Sequence, residues 1–178
     1  MNKRELDRIA VARGIQPDPQ HPFAGLLSEA RRLTHAEAGT VYLREGNQLR
    51  PAFVQNDVLT RRLGEAEVDR RLKADPLSLS ESSIASYVAL TGATVNVPDA
   101  YTIPSSRPYQ LDRRVDAKTG YRTRSMLALP IRDPHGTVGG VLELINALNV
   151  VGGVIPFERE KESAVATLLA AAASIAPT

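Results

Sequence analysis

The sequence predicts an α+β domain: a mixed, mainly antiparallel sheet with terminal helices on one face and shorter helices and loops on the other. Three observations predict it. Met126-Leu127-Ala128-Leu129-Pro130-Ile131 and Val138-Gly139-Gly140-Val141-Leu142-Glu143-Leu144-Ile145-Asn146 are apolar runs joined by Asp133-Pro134-His135-Gly136. Proline presets that turn and glycine accepts the positive φ that follows, so the two runs form an antiparallel pair at the middle of a sheet. A second pair of β-prone runs, Thr40 to Val54, surrounds Glu45-Gly46-Asn47. Apolar residues at helical spacing flank the whole at both ends.

Each element follows in chain order. Leu6, Ile9, Ala10 and Arg13 fall at helical spacing and Gly14 ends that helix; Gln16 to Pro22 holds three prolines and reads as a linker. The organisation is therefore an N-terminal helix and linker over 1–22 and one domain over 23–176. Leu26, Leu27, Ala30, Leu33 and Thr34 make one apolar stripe, and Gly39 is expected to stop that helix. In the hairpin that follows, Val41 and Leu43 share one face, Tyr42 and Arg44 the other. Asn56 to Asp75 is rich in charge, with Leu59, Leu63 and Leu72 at roughly helical intervals, and reads as a solvated connecting helix or a lid. Ser80 or Ser82 is expected to cap a helix that runs to Thr91 and closes at Gly92. Ala93 to Val97 is a short strand, and Pro98 to Gly120 is irregular. Phe157 to Ala176 is a final helix whose stripe is Val165, Leu168, Leu169, Ala172 and Ile175.

Composition narrows the function. The chain has 178 residues, enough for one core, with 22 basic and 20 acidic side chains and a net charge of +2. Its arginine pairs are scattered, so neither nucleic acid nor a membrane surface is the expected partner. Without cysteine there are no disulfides, thiolate metal sites or reactive thiols. A charged N-terminus and short apolar runs predict a cytoplasmic protein. His21, His35 and His135 lie apart and form no spaced ligand set, and no nucleophile elbow is present.

Several ordered blocks resemble the GAF domains of cyclic nucleotide phosphodiesterases and bacterial signalling proteins. Leu33-Thr34-His35-Ala36-Glu37-Ala38-Gly39-Thr40-Val41-Tyr42-Leu43 is similar to that family's first helix leading into its first strand. Ser83-Ile84-Ala85-Ser86-Tyr87-Val88-Ala89-Leu90-Thr91-Gly92 resembles its pocket helix. Asn96-Val97-Pro98-Asp99-Ala100-Tyr101, with Asp116 and Thr119 to Thr123, resembles the segment that closes over a ligand. The resemblance implies a GAF-like six-stranded sheet, a small-molecule pocket and a regulatory, non-enzymatic role with no required cofactor. Cyclic nucleotide-binding members resembling this chain carry an Asn-Lys pair, then a Phe and an Asp-Glu pair, with a Lys to Asp bridge. Asn146, Phe157 and Glu162 keep that pattern, whereas Ala147 replaces the Lys and Lys161 the Asp. A cyclic nucleotide is thus one ligand the resemblance suggests, but without its supporting bridge. The cysteine-dependent sulfoxide reductase and bilin-binding branches are excluded.

The candidate ligand-binding residues are Ser82, Ser83, Ile84, Ala85, Asn96, Tyr101, Asp116, Thr119 and Glu143. Backbone N–H groups at Ser82 to Ala85 suit a phosphate or carboxylate, or are capped by the serine hydroxyls. Tyr101 offers a ring and a hydroxyl, and Asp116 and Thr119 a polar edge; the alternative for all three is loop bracing. Glu143 is a carboxylate in an aliphatic strand: on a pocket face it accepts from a ligand amine, and on a solvated face it is an ordinary surface glutamate. Coupling through the first and last helices, and a homodimer burying their spare stripes, complete the expectation. An effector domain or signalling enzyme is the expected partner. The competing reading is a ligand-free scaffold for dimerisation or docking.

Overall fold

The computed structural model describes residues 22–173. The helix expected over residues 6–13 and its linker lie outside that range, as does the end of the last helix. From the N-terminal side come α1 (Pro22–Thr34), β1 (Ala36–Glu45), β2 (Gln48–Asn56), α2 (Asp57–Leu63), α3 (Glu65–Leu72) and β3 (Leu77–Ser78). They are followed by α4 (Ile84–Thr91), β4 (Val95–Val97), a 3-10 turn (Ala100–Thr102), α5 (Arg114–Thr119), β5 (Met126–Arg132), β6 (Val138–Leu148), β7 (Val154–Ile155) and α6 (Arg159–Ala172). The sheet runs β3-β2-β1-β6-β5-β4, and the two-residue β7 pairs with the end of β6. All these pairings are antiparallel.

The period-2 alternation of the central strands sorts their side chains between two layers. Val41, Leu127, Leu129, Ile131, Leu142 and Leu144 point to one face, where they pack with Leu26, Leu27 and Ala30 of α1 and with Val165 and Leu169 of α6. Val141, Ala128 and Met126 point to the other, against Ile84, Ala85, Val88 and Ala89 of α4 and Val95 and Val97 of β4. The terminal elements α1 and α6 therefore cover one face, and shorter helices and loops the other. Full burial of each such aliphatic side chain contributes about 1.5–3 kcal/mol.

Two expected boundaries move. The first helix ends at Thr34, not at Gly39, because His35 takes the left-handed conformation (φ 53) and β1 begins at Ala36. Gly39 instead lies within β1, where an added Cβ would sit 2.8 Å from Leu27 and 2.9 Å from the Glu143 carbonyl oxygen. It is small so that α1 can approach the sheet. The cap of α4 is Ser83, not Ser80 or Ser82: its hydroxyl accepts from the Ser86 amide and donates to the Ser86 hydroxyl. Gly92 closes α4 with φ 68, as expected.

The charged segment after β2 is two short helices with their own small core. Asn56 caps α2 by accepting from the Leu59 amide. Leu59 and Val68 bury themselves with Ala38 and Tyr121. Among the described residues, no helix is long and apolar enough to cross a membrane.

Candidate functional site

A cavity of about 80 Å³ lies between the β1/β6 part of the sheet and the cover formed by the start of α4, the segment before α5 and α5 itself. Its apolar wall includes Val54, Leu72, Leu77, Ile84, Leu111, Met126 and Ile145. Its polar lining includes Thr40, Tyr42, Ser83, Asp112, Asp116 and Glu143, with no Lys, Arg or His.

Most of these polar groups already hold partners. Asp116 is 7% exposed, and its carboxylate accepts from the Tyr101 hydroxyl, the Thr123 amide and the Thr123 hydroxyl, each at 2.8 Å. It ties α5 to the 3-10 turn and to the segment leading into β5. Asp112 accepts from the backbone amide and guanidinium of Arg114, which also reaches Glu81. Those bonds hold the Asp112 carboxyl below its ordinary range despite partial burial. Ser83 is engaged in the cap, and the Ser82 carbonyl accepts from the Gln110 amide at 2.7 Å. That bond ties the start of α4 to the cover.

Glu143 differs. Its residue is 7% exposed and lies on the cavity face of β6, opposite Thr40 of β1 and Ala128 of β5. The solvated alternative for this glutamate is thereby removed. Burial, then the nearby Asp112 charge, push its carboxyl up to about 7, while a hydrogen bond from Tyr42 acts in the opposite direction. The Tyr42 hydroxyl is itself pushed well up by burial and by the Glu143 charge. Thr40, Tyr42 and Glu143 thus form the polar floor of the cavity.

The other sequence candidates separate. Ser83, Ile84, Asp116 and Glu143 line the cavity. Ala85 is buried behind it in the α4 core, and Ser82 is exposed outside it. Asn96 faces away, because Val95 and Val97 take the inner face of β4; its amide donates to the Phe157 carbonyl and to Glu162 of α6. Tyr101 lies outside the lining, with the Arg122 guanidinium 3.5 Å and that of Arg113 4.7 Å from its ring centre. Thr119 donates to the Val115 carbonyl and accepts from the Tyr121 amide, which finishes α5. For Asn96, Tyr101 and Thr119 these arrangements are bracing.

Thr40, Tyr42 and Asp112 were not among those candidates. Strand parity could have found the first two, since Tyr42 stands opposite in sense to Val41 and Leu43, and Thr40 shares its face. Asp112 sits in irregular backbone and carried no comparable signal.

The partly kept family pattern also acquires a physical account. Asn146 has φ 57; its side-chain oxygen accepts from the Arg124 amide, and its amide donates to the Tyr121 hydroxyl and the Arg122 carbonyl. One side chain thereby shapes the 121–124 segment leading into β5. Phe157 is buried with α1 and α6, and Glu162 receives Asn96. Ala147 is buried opposite Ala36 and Ile155, while the Lys161 amine lies 3.4 Å from His35 Nδ1. The family's bridge is absent at both of its ends.

A family model described as GAF domain matches residues 18–176, and the chain belongs to that family. GAF domains are generally regulatory, small-molecule-binding modules of signalling proteins. The chain is 29% identical over 128 residues to the dual 3',5'-cyclic-AMP and -GMP phosphodiesterase 11 of Drosophila melanogaster, covering 70% of this chain and 8% of that protein. It is also 29% identical over 119 residues to the cGMP-specific 3',5'-cyclic phosphodiesterase of the same organism, covering 66% of this chain and 10% of that protein. The chain thus spans a tenth or less of those relatives.

Among solved structures, the GAF domain of an Acinetobacter phosphoenolpyruvate-protein phosphotransferase superposes with a TM-score of 0.64 at 18% identity, over 97% of this chain and 92% of that one. The GAF-B domain of DevS from Mycobacterium smegmatis gives 0.58 at 20% identity, over 88% and 90%. These likenesses establish the fold.

Proposed function

We propose that this domain is a non-catalytic, cytoplasmic sensor that binds a small molecule in the cavity between β1/β6 and the α4–α5 cover. Occupancy is passed to α1 and α6, through which two copies pair and act on an effector domain or signalling enzyme. The observation that carries this reading is the buried polar floor of Thr40, Tyr42 and Glu143 in a chamber whose walls combine apolar side chains with Ser83, Asp112 and Asp116, the mixture of apolar lining and convergent polar groups that suits a small-molecule site. Strand β6 supplies the route: Glu143 lines the cavity, while Leu142 and Leu144 beside it pack in the cluster containing α1 and α6. A ligand that binds two arrangements of the cover unequally shifts the helix layer with it.

The names of the sequence relatives make cyclic AMP and cyclic GMP the first ligands to try. The test is thermal shift and calorimetry against both nucleotides and a panel of small metabolites, with mass measured by light scattering during gel filtration. Saturable stabilisation by any one ligand, in a dimer, is the expected result. A second reading, a ligand-free docking scaffold, is favoured by the small volume of the cavity and by the bonds that Asp116, Asp112 and Ser83 already spend on the wall. A dimer indifferent to every ligand supports that second reading and sinks the first.

A further inference from the structure

The chemistry of the cavity says which kind of molecule suits it. Three carboxylates line it and no basic side chain does. Asp116 already accepts three hydrogen bonds from Tyr101 and Thr123, and Asp112 is held by Arg114. Glu143 has a different balance. A carboxylate offers about four lone-pair sites, and the donor beside Glu143 is the single Tyr42 hydroxyl. Its residue is more than nine-tenths buried and lines the empty space. The Thr40 hydroxyl, directly across the strand pair, lines the same floor.

A group entering this space gains most by donating hydrogen bonds and by carrying positive charge. An anion meets the opposite conditions: a low-dielectric chamber with acidic walls and no cation to receive it. The volume, about 80 Å³, is that of a few water molecules and admits a compact group. Val54, Leu77, Ile84, Met126 and Ile145 enclose the remainder of such a group in apolar contact.

We propose that the ligand of this site is a small organic nitrogen cation, an alkylammonium or amidinium, seated on the Glu143 carboxylate with Thr40 and Tyr42 beside it. This rests on the small-molecule reading given above and specifies its ligand class. The Tyr42 hydroxyl stands beside the carboxylate on the same floor, and the cation takes the lone pairs that face the cavity. Asp112 adds negative potential from the cover, tempered by its own Arg114. Asp116, the third lining carboxylate, already accepts hydrogen bonds from three donors. The uncharged Ser83 of α4 and Ala128 of β5 complete the surroundings of Glu143.

Binding should therefore compete with protonation of Glu143. For a carboxyl that titrates near 7, the ionised fraction, and with it cation affinity, rises about tenfold from pH 6 to pH 8.

The experiment is calorimetry and thermal shift on the whole chain with methylammonium, propylammonium and acetamidinium. Acetamide and acetate are the neutral and anionic controls, and cyclic AMP and cyclic GMP the competing class. The expected result is saturable binding of at least one cation, no binding of acetate, a tenfold gain from pH 6 to pH 8, and loss of at least tenfold in Glu143→Gln. Thr40→Val should weaken binding by a few-fold while leaving its pH dependence in place. Where Glu143→Gln fails to fold, the wild-type pH profile decides, because affinity that stays flat or falls with pH overturns the assignment. Binding of acetate or a cyclic nucleotide in place of the cations overturns the ligand class and leaves the sensory reading standing. No binding by any of these or by the metabolite panel overturns both.

Discussion

Replacing Glu143 by Gln should make the domain more stable at alkaline pH, although it removes a group from the candidate site. The carboxyl is held up to about 7 in the fold against an ordinary value of 4.5, chiefly by burial. Between those two values the folded chain keeps a proton that the unfolded chain has lost. Unfolding then releases a proton, and stability falls as pH rises through this window; below it both states are protonated, and above it both are ionised. At 1.36 kcal/mol for each pH unit the total is on the order of 3 kcal/mol. Glutamine keeps the shape and an oxygen that can accept from Tyr42, but it never ionises. The variant should lie within about 1 kcal/mol of the wild type near pH 5 and exceed it by about 3 kcal/mol at pH 8. In a domain of this size that corresponds to roughly 6–12 °C in Tm. Asp112 contributes in the opposite sense, since its carboxyl is lowered, but it titrates below the range of the assay and is common to both proteins. Urea denaturation followed by circular dichroism at pH 5, 6, 7 and 8 measures the difference directly. A difference that does not change with pH would refute the assignment of Glu143 as a buried, proton-holding group.

Two further substitutions probe the frame around the site. Asn146→Ala should cost about 3–5 kcal/mol, because it strips the Arg124 amide, the Tyr121 hydroxyl and the Arg122 carbonyl of a shared partner and leaves alanine at φ 57. Denaturant unfolding reads the loss, and a change under 1 kcal/mol would mean that the 121–124 segment is held by something else. Gly39→Ala places a methyl 2.8 Å from Leu27 and 2.9 Å from a backbone oxygen. The expected loss is about 1–3 kcal/mol, visible as a lower Tm, and an unchanged Tm would show that α1 is free to move outward.

The fold was legible where periodicity and turn chemistry agree. Both hairpins announce themselves through Gly46 and Gly136, which take φ 60 and φ 86 at the turns. The stop of α1 was not, since only a few per cent of non-glycine residues take the left-handed region, as His35 does, and Gly39 offered the simpler explanation. The site was only half legible for a different reason. Strand β6 is buried on both faces, so Val141, Leu142, Leu144 and Ile145 show no alternation, and nothing local says which face Glu143 takes. Only its partners across the sheet decide that. Asn96 errs in the other direction: Val-Asn-Val does alternate, but whether the apolar side of β4 faced the cavity or α6 depended on a layer formed by residues over 60 positions away. The ring and hydroxyl of Tyr101 suit a pocket, whereas the guanidiniums of Arg113 and Arg122 already lie over that ring.

The two-faced strand β6 also sets where this chain can change length. Side chains alternate with a period of 2, so a single residue inserted between Val141 and Ile145 would turn the carboxylate into the helix layer and bring a leucine into the chamber. The turn at residues 133–136 carries no such parity. Its exposed tip absorbs added residues, and the register shift between Ile131 and Arg132 already lies beside it, beyond the stretch that forms the floor. Related chains that keep the floor should therefore vary in length at that tip and hold a constant count from Val141 to Ile145. A loop library or a reporter insertion belongs at the same place.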